Sequence, residues 1–114
     1  MMVFIDAKNL NTLIWHFVKQ YFTPLDSFIM NHYVYILKSE KDCNFYVGYT
    51  KDIESRLKSH NSSQVPSTKM RQPLTLVYYE VCFNQQDATH REKYLKTSWG
   101  KRYIKNRLKN YLTG

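Results

Sequence analysis

A chain of 114 residues has room for one domain with one modest core, so no separately folding regulatory unit is expected. Hydrophobic residues make up 43% and aromatics 16%, a composition that buries a core and argues against disorder. Lys and Arg number 17 against 9 Asp and Glu, a formal charge of +8, and so basic a balance favours a polyanionic partner through attraction and counterion release. Nucleic acid leads that list, ahead of an anionic membrane surface or a ribosomal neighbour.

In the first segment Leu10, Leu13, Ile14, Phe17, Val18, Tyr21 and Phe22 recur at three- and four-residue steps and predict a helix with one apolar face, stopped at Thr23-Pro24. Lys8 and Lys19 cancel Asp6 and Asp26, so residues 1–29 read as a neutral helical appendage to a domain spanning residues 30–114. An extra helix packed on the domain, a partner-binding helix and translated upstream sequence are all compatible with it. The chain lacks the apolar core and cleavage site of a signal peptide, and no stretch approaches the ~20 apolar residues of a membrane span. The expectation is a cytoplasmic protein that does not enter membranes.

From His32 to Lys38 the run HYVYILK alternates, with Tyr33, Tyr35 and Leu37 on one face and Val34 and Ile36 on the other. A polar turn, Ser39 to Asn44, leads to a second run, Phe45 to Tyr49, and the two predict a β-hairpin. Thr50 or Asp52 caps a helix with apolar contacts at Ile53 and Leu57, where Arg56 and His60, four apart, share a face. Asn61 to Pro73, rich in Ser, Gln, Thr and Pro, reads as a loop, and Leu74 to Cys82 as a third strand. Asn84 to Asp87 resembles a capping box; it opens a helix with Ala88, Leu95 and Trp99 inward, which Gly100 breaks. A last helix carries Ile104, Leu108, Tyr111 and Leu112. This order predicts an α/β (α+β) domain, a small three-stranded mixed sheet flanked by helices, with the extra N-terminal helix added.

The hairpin concentrates Tyr33, Tyr35, Tyr46 and Tyr49 around Gly48, and a glycine inside a strand marks a bulge or a close backbone approach. Each tyrosine alone is more plainly a core or surface aromatic. Beside Arg56 and His60 the phenols gain a second reading, since a guanidinium, an imidazole and phenols together can hold and hydrolyse a phosphodiester. Glu92 falls four residues after Ala88 and three before Leu95, on the helical stripe expected to face the core. A carboxylate there needs a cation or hydrogen-bond donors. A salt bridge is the plainer account; the alternative is an oxygen ligand for a divalent metal held partly by waters and substrate. Between Arg91 and Lys109 eight Lys or Arg oppose Glu92 alone, and by charge alone a solvated helix face and a nucleic-acid surface are equally good readings. Cys43 and Cys82 lack metal-ligand spacing and read as reduced thiols.

These residues together resemble the GIY-YIG nuclease family. Tyr33-Val34-Tyr35 stands at its first signature and Tyr46-Val47-Gly48 closely resembles its second, a hairpin turn apart. The match continues through Tyr49 to Ile53, Arg56-Leu57, His60-Asn61, Ser67 to Lys69, Leu76 to Glu80 and Ala88 to Lys96, and closes on Trp99 to Leu108. The chain is most similar to the small stand-alone bacterial members. The resemblance implies Tyr35 and Tyr46 as paired catalytic phenols, Arg56 as the phosphate-binding arginine, His60 as a catalytic residue that with Tyr46 orients water and phosphate, Gly48 as the structural glycine and Glu92 as the metal-binding carboxylate. It implies one divalent ion, Mg²⁺ or Mn²⁺, and DNA as partner, with Lys69, Arg71, Lys101, Arg102, Lys105 and Lys109 as candidate nucleic-acid contacts. The implied chemistry is in-line phosphodiester hydrolysis without a covalent intermediate. Tyr35 takes the proton from water, and its reference pKa of ~10 calls for a nearby cation. Departures are Tyr33 where the signature has Gly, Tyr49 where repair incision subunits have Lys, and Cys43 and Asn44 in place of a turn glycine. Asn106 is a counterpart of an Asn used by some members.

The leading expectation is therefore a metal-dependent DNA endonuclease of repair or recombination. A non-catalytic nucleic-acid-binding module on the same fold is the alternative, and a protein-interaction adaptor built on the N-terminal helix ranks last. An inward carboxylate favours the enzyme, because a mere binder has no use for one.

Overall fold

The computed structural model describes Val3–Ile5 and residues 31–114, so the helix expected from Leu10 to Phe22 lies outside the described residues. β1 is Val3–Ile5, and the predicted hairpin forms from β2 (His32–Ser39) and β3 (Phe45–Thr50). These pair antiparallel, with Tyr35 opposite Gly48 and Leu37 opposite Tyr46. Cys43 closes the turn at φ 61°, a left-handed backbone that disfavours any side chain, at the place where a turn glycine was expected. Its N–H donates to the Ser39 carbonyl at 2.8 Å.

The class is α+β, as predicted, but the sheet is antiparallel throughout rather than mixed. β4 (Leu74–Cys82) does run in the same direction as β3; it pairs with the other edge of β2, so every pair of neighbours is antiparallel. The crossover explains this. α1 (Ile53–Asn61) starts where β3 ends, and the loop after it returns the chain to the hairpin turn. There the Glu40 N–H donates to the Pro73 carbonyl (2.9 Å) and the Ser39 hydroxyl to the Arg71 carbonyl (2.6 Å). β4 thus begins opposite Ser39 and finishes opposite His32. On its far side β1 adds a short fourth strand, with Phe4 opposite Glu80, in the order β1-β4-β2-β3.

Alternation sorts the strands into two buried faces. Val34, Ile36, Tyr78 and Cys82 pack with Ala88, Leu95, Ile104 and Leu108 of α2 (Gln85–Leu95), α3 (Ser98–Arg107) and the chain before α4 (Lys109–Thr113). Tyr35, Leu37, Tyr79 and Val81 pack with Ile53 of α1. The caps are the expected ones: Asp52 accepts from the Ser55 N–H and Asn84 from the Asp87 N–H, each at 3.1 Å.

One helix boundary differs. α2 ends at Leu95, and Thr97 caps α3 by accepting from the Gly100 N–H at 3.2 Å. Gly100 therefore sits inside α3 and breaks nothing; a Cβ there would collide with the backbone of Tyr94 and Leu95, so the glycine lets α3 turn tightly against the end of α2. The same break rotates Trp99 outward. Expected in the core, it is 65% exposed and lies under the Arg102 guanidinium, 4.9 Å from the ring centroid. Among the described residues no helix is long and apolar enough to cross a membrane.

Candidate active site

Tyr35 and Gly48 are cross-strand partners, and the missing side chain of Gly48 decides what happens there. A Cβ at 48 would fall inside the Tyr35 ring, against Cζ and the hydroxyl, so only glycine lets the phenol lie flat across β3. Tyr46, two residues before Gly48, points to the same face. Its ring centroid is 6.4 Å from that of Tyr35. α1 covers this face, and its four-residue spacing sets Arg56 and His60 over the two phenols. The sequence-predicted quartet is brought together.

Its hydrogen bonds form a chain. The Thr68 hydroxyl lies 2.7 Å from His60 Nδ1 and 3.4 Å from the Val65 carbonyl. The Tyr35 hydroxyl lies 2.8 Å from Nε2, so in the neutral imidazole one ring nitrogen donates and the other accepts. Arg56 Nε donates to the same phenol oxygen at 3.4 Å, and Tyr46 meets the imidazole edge to face at 4.9 Å. Both ring nitrogens of His60 are engaged inside the protein. The histidine acts on Tyr35 and has no nitrogen left for a phosphate.

Electrostatics follow from burial. His60 is fully buried, and desolvation followed by the Arg56 charge lowers its pKa to about 4, so the ring is neutral at physiological pH. Tyr35 is 2% exposed; desolvation pushes its pKa up to about 12, Arg56 opposes the rise, and the charges of Tyr46 and Glu92 add to it. Glu92, from α2, is thus near enough to feel this phenol. Its side chain is 21% exposed and its ion pair with Lys96 is loose, at 3.6 Å.

Among the described residues the fully buried carboxylate is a different one. Glu80 on β4 is closed off from solvent and bound by Arg91 Nε at 2.9 and 3.1 Å, and desolvation raises its pKa against that pairing. Glu92, expected on the core-facing stripe, is only half-buried at the edge of that stripe. A charged residue within the buried run LTLVYYEVC was the available signal for Glu80. Thr68, which binds His60 Nδ1 at 2.7 Å, was visible only as part of the Ser67 to Lys69 match.

The basic candidates separate. Lys101, Lys105 and Lys109 line one cavity, together with Arg71. Arg71 is 24% exposed and already committed, donating to both Asp42 oxygens (2.7 and 3.3 Å) and to the Asn44 and Phe45 carbonyls, and it holds the Asp42 carboxyl well below its ordinary range. Arg102 stacks on Trp99 instead, and Lys69 and Asn106 are exposed elsewhere.

The family model of the GIY-YIG catalytic domain matches residues 31–106. The chain is 46% identical over 67 residues to a UPF0213 protein of Staphylococcus saprophyticus, covering 58% of this chain and 80% of the relative. It is 44% identical over 66 residues to one of Clostridium perfringens, covering 57% and 70% respectively, and 41% identical over 68 residues to one of Staphylococcus aureus, covering 59% and 82%. No solved structure matches the chain. On a match that takes in the hairpin, α1, β4, α2 and nearly all of α3, this chain belongs to the GIY-YIG family.

Proposed function

We propose that this protein is a metal-dependent DNA endonuclease that hydrolyses phosphodiester bonds, with residues 30–114 as its catalytic unit and DNA repair or recombination as its setting. The observation that carries this reading is the convergence on one phenol, Tyr35, of His60, Arg56, Tyr46 and the charge of Glu92. The free thiols Cys43 and Cys82 suit a reducing compartment, the cytoplasm.

The donors available suit a lone divalent ion. Among the described residues no group of three or more His, Cys, Asp or Glu could enclose a metal, so protein alone does not make a closed site. Glu92 offers a half-buried carboxylate with one loose lysine partner beside the phenols, the kind of group that takes Mg²⁺ or Mn²⁺ with waters and substrate oxygens completing the shell. When bound, such an ion supplies positive charge to the reacting phosphate and the leaving oxygen. Arg56, exposed above Tyr35, binds the phosphate and neutralises charge as the phosphorus becomes five-coordinate.

Tyr35 accepts a proton from the attacking water only as it gives up its own, and Nε2 of His60, 2.8 Å away, stands where that proton goes. Thr68 holds the imidazole from its other nitrogen. A histidine held near pKa 4 is a weak acceptor, so the relay runs when nearby cationic charge favours the phenolate. Tyr46 packs against His60 and orients water and phosphate.

The depth of Tyr35 favours a second reading, a module that binds nucleic acid on this fold without cutting. Incubation with supercoiled, branched and single-stranded DNA in Mg²⁺ or Mn²⁺, then in chelator, separates the two. The endonuclease yields products that chelator abolishes; the binding module retards DNA in both conditions and cuts none.

A further inference from the structure

We infer that a DNA strand crossing the β3 edge at Tyr46 runs through a two-walled basic groove between the hairpin and the C-terminal helices, and that Lys38, on the hairpin wall, is a phosphate contact. This rests on the nucleic-acid reading above and extends it to a path.

Two cavities carry the argument. One, of about 250 Å³, lies beside Tyr46 and is lined by Phe45, Lys96 and Lys101. The other, of about 840 Å³, lies between the hairpin and α3 with α4. Phe45 and Lys101 line both, so the two cavities adjoin on the sheet face that packs against α2 and α3, with Tyr46 at the rim of the smaller one. The groove walls carry a net positive charge. Lys101, Lys105 and Lys109 come from the helices, at four-residue steps that keep them on one side. Lys38 faces them from β2, where no sequence pattern singled it out. Asp42, the acid in the lining, is already neutralised by Arg71 at 2.7 Å, so the lysines are left with a net positive field. Cations on two facing walls concentrate that field between them, which suits a chain of phosphates. The half-buried Phe45 ring floors the junction, where the face of a base or sugar can rest. Arg102 and Lys69 line neither cavity, so the path leaves them out.

The test measures binding of a fluorescein-labelled flap DNA, which carries duplex and single-stranded arms, in chelator and across a KCl series. K38Q/K101Q/K105Q/K109Q should weaken binding and flatten the plot of log affinity against log salt by about 0.7 to 0.9 per contact removed. K51Q/K58Q, which neutralises exposed lysines at the start of and within α1, should leave that slope unchanged. The native chain offers a check that needs no substitution: Cys43 is exposed and lines the groove while Cys82 is buried, so bound DNA should slow maleimide labelling of Cys43. Binding with an unaltered slope in the quadruple variant and unprotected Cys43 overturns the path while the nucleic-acid reading stands. A flattened slope in K51Q/K58Q instead sends the strand over α1 and the loop from Asn61 to Pro73. No binding of any DNA by the unmodified protein would remove the underlying reading itself.

Discussion

Arg91 and Glu92 are neighbours on α2, yet they serve opposite kinds of site. Arg91 turns to β4, where it binds fully buried Glu80 through two short hydrogen bonds and lies over the rings of Tyr94 (5.2 Å) and Tyr103 (4.7 Å). Every charge there has a partner, and the aromatic rings complete the cage. Glu92 turns toward the hairpin edge, where its one ion pair is long and half-exposed. A buried carboxylate with all its partners in place is a structural element; Glu92, half-buried, paired to a lysine at 3.6 Å and near enough to Tyr35 to raise its pKa, is held more loosely. The difference lies in satisfaction more than in depth.

The largest expected effect falls on the satisfied side. Arg91→Met keeps the length of the side chain and strips Glu80 of its counter-charge in the interior, so stability should fall by about 3 kcal/mol or more. Urea unfolding measures it. A loss below about 1 kcal/mol would mean that Glu80 simply protonates at little cost, and the contrast between the two carboxylates would weaken.

On the reactive side Tyr35→Phe removes the hydroxyl that His60 and Arg56 share and leaves the ring over Gly48. Single-turnover cleavage should drop by about 10²-fold, near 2.7 kcal/mol of barrier, with DNA binding retained. Equal rates would exclude the phenol as base.

His60 yields a pH-dependent signal. Its folded pKa of about 4 lies below the ordinary 6.5, so as pH falls through 6.5 the unfolded chain takes up a proton that the folded chain refuses. The contribution is fully present above that pH and is lost between 6.5 and 4, by up to about 1.4 kcal/mol per pH unit. His60→Gln, which cannot titrate, should unfold in urea with a flatter pH dependence over this window. An unchanged slope would show that other groups set it.

Much of this was legible before any coordinates. The hairpin, the caps at Asp52 and Asn84 and the shared face of Arg56 and His60 follow from local patterns and periods of two and near four, while the grouping of Tyr35 and Tyr46 with them comes from the family resemblance. Such patterns state which side chains share a face and say little about which edge a distant strand joins. The sense of the sheet therefore depended on where the crossover set the chain down, beside Ser39, and the pairing of β1 with β4 had no local signal at all. Trp99 was misplaced because one capping residue, Thr97, ended a helical phase that the apolar spacing alone seemed to carry onward. Glu80, Thr68 and Lys38 matter through partners 11, 8 and more than 60 residues away, separations that a sequence pattern does not connect.

The account depends most on Glu92 being a ligand and not a brace. Glu92→Gln preserves shape and removes the charge, so the decisive measurement pairs cleavage of supercoiled DNA in Mg²⁺ and in Mn²⁺ with DNA affinity in chelator, for the variant and its parent. The expected result is loss of cutting in both metals with affinity and unfolding midpoint nearly unchanged. A variant that cuts as well as its parent would contradict it, leaving Glu92 as no more than the partner of Lys96.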